Sequence, residues 1–392
     1  MQFVSSADSH IKPLPFRYYW WVVIFLAGSG LAASIYLSIS HFRVYTDIGY
    51  RSFCAISRAI NCDTVSLSPY AIFLNVPIPV WGIAGYALFL LLATAFPGRD
   101  ENKYRIWTIL FLLSMAFSIY SAILAFISSY YIGSYCIVCI ATYAVNFLLA
   151  YFCWLIKKRF DPVRLGRGLK ADLVYIWRIR RRSLLTAGTF FAITISLVFL
   201  FPDYWNLRFP DQTNQLSTGY TEDGHPWIGS NSPELVVTEY TDYLCFQCKK
   251  MHLHLRELMN RHPDKIRLIH RHFPMDHKFN PIVKTPFHKG SGIMALEAIY
   301  LGKIGKFWQA NDYFYSIAGK TEKINLHQMS EKLGLNVKDL SGALSDPTTR
   351  RQLSSDILRG IKLGITGTPA YVINGNVYHA TIPPEILKKV LE

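Results

Sequence analysis

Charge is scarce in this chain, and acid is its scarcer half. Only 17% of the 392 residues are charged, and 26 Asp and Glu face 41 Lys and Arg, a formal net charge of +15. Soluble domains average about 25% charged residues. With 51% hydrophobic residues, the composition excludes an intrinsically disordered chain and argues against a wholly soluble one. Cysteine is sparse as well: seven are too few for a disulfide-dense scaffold. No nucleic-acid reader motif accompanies the positive charge, so no nucleic-acid partner is expected. An anionic membrane surface or topology-setting loops remain as homes for it.

What the chain has instead is long apolar runs. Residues 18–40 carry no charge, and about 20 apolar residues suffice to cross hydrocarbon. The run is too long for the apolar part of a cleaved signal peptide, and more runs follow. Residues 80–96, 106–130, 137–156 and 184–201 read as four further spans. The segment 157–183 holds ten basic residues, a strong mark of a cytoplasmic loop. Arg99, Lys103 and Arg105 between spans two and three agree, as do Lys12 and Arg17 in a cytoplasmic tail over residues 1–17. Five spans then put the C-terminal region on the outer side.

That topology, derived without the cysteines, gathers three cysteine pairs on the outer face. Cys54 and Cys62 fall in the loop between spans one and two, Cys136 and Cys139 at the outer end of span four, and Cys245 and Cys248 beyond span five. An exported compartment permits disulfides. Cys153, near the cytoplasmic end of span four, reads as a buried apolar thiol. The loop after span one holds Asp47, Arg51, Arg58 and Asp63 and reads as solvated.

Residues 202–232 are polar and glycine-containing, a linker. A strand beginning at Leu235 then runs into Cys245-Phe-Gln-Cys248 and a helix with apolar Met251, Leu255, Leu258 and Met259. A cysteine at a helix N-terminus has its thiolate stabilised by unpaired N–H groups and the dipole. His252 and His254 read as surface residues, with a zinc set of Cys245, Cys248, His252 and His254 as the alternative. A Gly367-Thr368-Pro369 sequence precedes a further strand. Residues 233–392 thus resemble the DsbA-like branch of the thioredoxin superfamily. The resemblance implies a soluble α/β domain, with Cys245 as exposed nucleophile, Cys248 as resolving cysteine and a cis Pro369 facing them.

Residues 18–156 resemble the vitamin K epoxide reductase family. Phe53-Cys54 and Asn61-Cys62-Asp63 are followed by Ser68-Pro-Tyr, by Trp81-Gly82, and by Cys136-Ile-Val-Cys139 with Thr142-Tyr143. The resemblance implies a four-helix membrane catalytic core, to which a fifth helix is added here. It also implies a quinone beside the CxxC, with Cys139 facing it, Cys136 resolving, and Tyr143, Ser68 and Trp81 as contacts. Tyr143 lies one turn beyond Cys139 on nearly the same helix face. The family's asparagine just before the aromatic-Gly of span two is missing: Asn75 is the nearest. Vitamin K epoxide is therefore not implied; ubiquinone or menaquinone is.

The expected function is a quinone-dependent protein-disulfide oxidoreductase of the bacterial inner membrane, its thioredoxin-like domain periplasmic. Electrons would pass from reduced exported proteins to Cys245/Cys248, then to Cys54/Cys62, to Cys136/Cys139 and into the quinone pool. No metal is expected. Two alternatives stay open: a membrane-anchored thiol–disulfide exchange protein or isomerase without quinone turnover, and a metal-binding or sensing protein.

Overall fold

The computed structural model describes residues 14–57, 59–96, 104–207, 216–317, 326–336, 342 and 344–391. The tail through residue 13, Arg58, residues 97–103 and linker residues 208–215 lie outside the described residues. The chain divides into two compact units, Met1–Val44 with Arg51–Asp203, and Tyr45–Tyr50 with Tyr204–Glu392.

Among the described residues, five helices are long and apolar enough to cross a membrane: α1 (Phe16–Thr46), α3 (Ile78–Ala95), α4 (Trp107–Ile127), α5 (Ile137–Phe160) and α7 (Arg180–Leu200). A short α2 (Cys62–Ser66) and the two-residue strands β1 (Ile72–Phe73) and β2 (Val76–Pro77) lie between α1 and α3. α1 runs past the apolar stretch ending at Ser40, because helix hydrogen bonding does not stop where hydropathy falls. Val23, Ala27, Phe89, Leu110, Leu149 and Ile156 form the buried centre of the bundle, and Cys153 is buried among them as an apolar thiol. Small residues let the helices close up. A Cβ on Gly30 would stand 2.3 Å from the Tyr86 ring, and one on Gly82 would stand 2.6 Å from Ser34 Oγ.

The basic segment 157–183 is mostly helix rather than loop. α5 continues through Lys157, Lys158 and Arg159, cations favoured at a helix C-terminus. α6 (Leu165–Arg178) then folds back on the bundle. Its fully buried Asp172 accepts a hydrogen bond from Thr108 N at 2.9 Å, and Tyr175 donates to Phe96 O at 3.3 Å. α4 has no side-chain cap of its own, and Ile106 before it lies at φ +81°. Asp172 supplies the missing cap.

The second unit is built on a six-stranded sheet in the order β3-β4-β6-β5-β7-β8. β3 is Thr218–Tyr220, β4 Pro226–Gly229, β5 Leu235–Thr241, β6 Ile266–His272, β7 Ala370–Ile373 and β8 Asn376–His379. β5 and β6 are parallel; the other pairs are antiparallel. α8 (Phe246–Arg261) follows β5. A helical insertion holds α9 (Ser291–Gly302), α10 (Phe307–Ile317), α11 (Leu326–Leu333) and α12 (Pro347–Lys362), and α13 (Pro384–Leu391) ends the chain. Strand alternation sorts the two faces. Leu235, Val237, Ile266, Leu268 and Tyr371 pack with Met251 and Leu255 of α8 and Ile386 of α13. Tyr240, Ala370 and Val372 pack with Leu296 and Ile299 of α9 and Leu353 and Ile357 of α12.

Replacing a capping carboxylate costs roughly 0.5–2 kcal/mol. Asp172→Ala should therefore lower the thermal unfolding midpoint of the detergent-solubilised chain, and Asp172→Asn, which still accepts a hydrogen bond, should lower it less. Equal midpoints for Ala and wild type would remove Asp172 as the cap.

Candidate functional site: two helix-capping cysteine pairs

In the first unit Cys54 and Cys62 are joined as a disulfide, Cα–Cα 5.7 Å. Cys62 opens α2, whose N-cap Asn61 accepts from Asp63 N and Thr64 N through its side chain. The same loop is pinned by a parallel bridge between Ile60 and Tyr135, through Asn61 N to Tyr135 O at 2.9 Å and Tyr135 N to Ala59 O at 2.8 Å. Tyr135 directly precedes Cys136. Cys54, Cys62 and Cys136 consequently share one buried cluster with Leu37, and Cys139 packs against it. The reading of a solvated cysteine loop is corrected here: Arg51 is exposed, but Asp63 is half-buried and accepts from Ser52 N at 3.2 Å, and the bridge folds both cysteines inward.

Cys136 is the N-cap of α5, and its sulfur accepts from Cys139 N at 3.2 Å. A cavity of about 490 Å³ opens beside Cys139, within the ~300–1,000 Å³ of small-molecule sites. Tyr143, Ser68 and Trp81 line it. Ser68 Oγ donates to Val65 O at 2.8 Å, and Trp81 Nε1 donates to Phe73 O at 3.0 Å. The sequence reading did not include the polar group deeper in the same cavity. There Tyr86 donates to Asn146 Oδ1 at 2.6 Å and Asn146 Nδ2 donates to Ser121 Oγ at 2.9 Å. Cys139, Tyr143 and Asn146 are spaced four and three residues apart, one stripe along α5. That spacing was visible in the sequence.

The second unit repeats the motif. Cys245 is the N-cap of α8, and its sulfur accepts from Cys248 N at 3.2 Å. Thr368 and Pro369 are joined by a cis peptide, and Thr368 O lies 3.5 Å from Cys245 Sγ. Buried Asp242 organises the approach to Cys245. It accepts from Leu244 N at 2.7 Å, Met275 N at 2.6 Å, His288 Nδ1 at 3.0 Å and Ser291 Oγ at 3.0 Å. Burial alone would push the Cys245 thiol up, yet the hydrogen bond with Cys248 and the charge on His288 outweigh it, and its pKa falls below the ordinary thiol value. Cys248 is pushed well above that value by burial and by Cys245 beside it. One sulfur is thus poised as a nucleophile and the other holds its proton. Cys245 is 8% exposed, less open than the sequence suggested.

His252 is not a surface residue. It is fully buried on α8, with Nδ1 2.9 Å from Glu239 Oε1 and Nε2 3.1 Å from Asn311 Nδ2. Both ring nitrogens are committed, which removes it from the alternative zinc set. Glu239 sits six residues before Cys245 on the core-facing side of β5, and sequence reasoning passed over it.

Because Cys245 is held below the usual thiol range, its alkylation by iodoacetamide should stay fast at pH values where an ordinary thiol is already protonated. His288→Ala should raise the pH of half-maximal alkylation. An unchanged profile would show that His288 does not stabilise the thiolate.

Residues 21–154 match the model of the Vitamin K epoxide reductase family, and residues 221–392 match a Thioredoxin family model. Among curated proteins, the chain is 25% identical over 159 residues to Na(+)/H(+) antiporter NhaA 1 of Salinispora arenicola, covering 41% of this chain and 23% of that protein. It is 24% identical over 164 residues to Na(+)/H(+) antiporter NhaA of Herminiimonas arsenicoxydans, covering 42% and 24%. The chain thus spans about a quarter of the length of these relatives. Among solved structures, it is similar to a thioredoxin-like oxidoreductase from Silicibacter pomeroyi DSS-3, with 20% identity, 44% of this chain and 91% of that one covered, TM-score 0.36. It is also similar to the thiol-disulfide exchange protein alpha-DsbA2 from Wolbachia pipientis, with 20% identity, 42% and 85% covered, TM-score 0.35. Residues 21–154 thus form a domain of the vitamin K epoxide reductase family, and residues 221–392 form a thioredoxin domain.

Proposed function

We propose that the chain is a membrane thiol–disulfide oxidoreductase that makes disulfides in exported proteins and passes the electrons to a quinone. The observation that carries this reading is the convergence of Cys54, Cys62, Cys136 and Cys139 in one buried cluster whose Cys139 lines an apolar cavity. An anchor needs neither the cluster nor the cavity.

In this reading a dithiol of an exported protein reduces Cys245–Cys248, which reduces Cys54–Cys62, which in turn reduces Cys136–Cys139. Each transfer is thiolate attack through a mixed disulfide. Carrying the thioredoxin domain on the same chain raises its effective concentration at the membrane pairs. The charge distribution supports an N-terminus in the cytoplasm and all three pairs on the exported side of a bacterial inner membrane.

The cavity suits a quinone head: its apolar wall meets a short file of polar groups, Cys139, Tyr143 and Asn146, on one helix face. A bound quinone would supply a two-electron, two-proton acceptor soluble in the bilayer. Cys139 would be the sulfur nearest that acceptor, and Cys136, buried at the helix cap, would resolve. The phenol of Tyr143 and the amide of Asn146 offer hydrogen bonds to carbonyl oxygens. Ser68 and Trp81 close the wall.

The test is quinone absorbance after reduced client protein is added to the purified chain in detergent. The account predicts stoichiometric quinone loss, abolished by Cys139→Ala. Cys245→Ala should abolish oxidation of the client protein while leaving quinone reduction by a small dithiol intact. If quinone is not consumed while every cysteine pair still exchanges thiols, the chain is an anchored exchange protein instead.

A further inference from the structure

Each turnover at Cys245–Cys248 moves a proton as well as electrons, and the sulfur that must exchange it is almost inaccessible to water: Cys248 is 1% exposed. When an incoming thiolate bonds to Cys245 Sγ and breaks the disulfide, Cys248 leaves as a thiolate and takes up one proton. When the pair is remade, Cys248 gives that proton up as its sulfur bonds Cys245 Sγ and displaces the partner's sulfur as a thiolate. A route for that proton has to exist inside the domain.

A file of buried polar groups leads away from this site. β5 and β6 pair in parallel with Glu239 opposite His270 and Thr241 opposite His272. By strand alternation these four share the face that Val237 and Leu268 occupy earlier in the strands. The core-facing stripe therefore turns from apolar to polar at its CxxC end. Glu239 Oε1 lies 2.9 Å from His270 Nδ1, and His270 Nε2 lies 3.3 Å from His272 Nδ1. His272 Nε2, although buried, has no hydrogen-bond partner among the described residues. His270 and His272 both line a cavity of about 270 Å³ whose lining also includes exposed Gly224 and Lys303. That volume holds several waters.

The hydrogen bonds fix their own direction. Burial would raise the Glu239 carboxyl, but the adjacent His252 and His270 bring it down to about 2, so it is ionised and accepts. His270 then donates from Nδ1 and accepts at Nε2, and His272 donates from Nδ1, which leaves its Nε2 lone pair at the cavity. A proton arriving there displaces one along each ring until Glu239 receives it. Burial holds both His270 and His272 below their usual pKa, so neither stores the proton. The hydroxyls of Tyr315 and Tyr371 feel the charges of both Glu239 and Cys248. Thr241 Oγ1 and Tyr315 OH are 2.5 Å apart, Thr241 is a hydrogen-bond partner of Cys248, and buried Tyr371 OH has no partner among the described residues. Tyr371 pairs with Glu239 across β7 and β5. Other ionisable groups facing the file are His252 and Arg256 of α8, His225 from the β3–β4 turn and Asp356 of α12. Tyr243 stacks on His270 and packs at a tilt against His272.

We infer that His270 and His272 form a proton conduit between Glu239, beneath the Cys245–Cys248 pair, and the water of the cavity on the other side of the strand ends. The inference rests on thiol–disulfide exchange at that pair, as proposed above.

The test uses the full chain in detergent with Cys54, Cys62, Cys136 and Cys139 replaced by Ala, reduced and then mixed with glutathione disulfide. Acid quenching separates formation of the Cys245–glutathione mixed disulfide from its resolution by Cys248. His272→Ala should leave the first step unchanged and slow the second by about 10- to 100-fold, short of the full ~10²–10⁴ of a directly acting acid or base. Added imidazole, entering the void beside the cavity, should restore the second step. His272→Gln should be equally slow and should not respond to imidazole. Resolution at the wild-type rate in either variant, or a His272→Ala defect that imidazole does not relieve, would overturn the conduit. Failure of the parent chain itself to exchange with glutathione disulfide would overturn the thiol–disulfide reading instead.

Discussion

Both reactive cysteine pairs depend on one local arrangement, a cysteine sulfur serving as the cap of a helix. Cys136 Sγ accepts from Cys139 N, and Cys245 Sγ accepts from Cys248 N, each at 3.2 Å. The arrangement places two sulfurs within one turn and lends the first the unpaired N–H groups of the helix end. It recurs in two units with no shared fold: an apolar helix bundle and a mixed sheet flanked by helices. What differs is what each unit packs against the pair. The bundle sets Cys139 on the wall of an apolar cavity. The sheet domain sets Cys245 beside Asp242, His288 and the Thr368 carbonyl.

The two settings suit two exchange partners. A protein thiol approaches from water and needs a stabilised thiolate, which the His288 charge supports. The proposed quinone would approach from lipid and need an apolar wall with few, well-placed donors, which Tyr143 and Asn146 offer. Burial creates a shared difficulty, since sulfurs sealed from water must still trade protons. In the sheet domain the buried file from Glu239 to His272 answers it. In the bundle, Asn146, Tyr86 and Ser121 satisfy one another in an apolar interior, where an unsatisfied amide would be costly.

Much of this was legible in the sequence, because its signals were local. Uncharged runs marked five helices, and CxxC at a strand-to-helix junction marked the capping cysteines. Gly367-Thr368-Pro369 before a strand marked the loop facing Cys245. What was not legible depended on pairing between distant segments. Asp63 and Arg51 made the cysteine loop look solvated, but the Ile60–Tyr135 bridge that buries Cys54 and Cys62 joins residues far apart in sequence. His252 looked like a surface residue until Glu239 and Asn311 were placed around it. The basic segment 157–183 looked like a loop because charge was read for topology, while its helical α6 and the burial of Asp172 follow from packing on α4. Glu239, His270 and His272 could have been found by following the core-facing parity of two strands past their apolar halves.

The central claim is that the two cysteine-bearing units are stations of a single relay. The most direct measurement is disulfide trapping in the full chain with Cys248→Ala, isolated without reductant and mapped by peptide mass spectrometry. The account predicts a mixed disulfide from Cys245 to Cys54 or Cys62, lost when both loop cysteines are replaced by Ala. A Cys245 that stays free, or is found joined only to exported proteins, would contradict it.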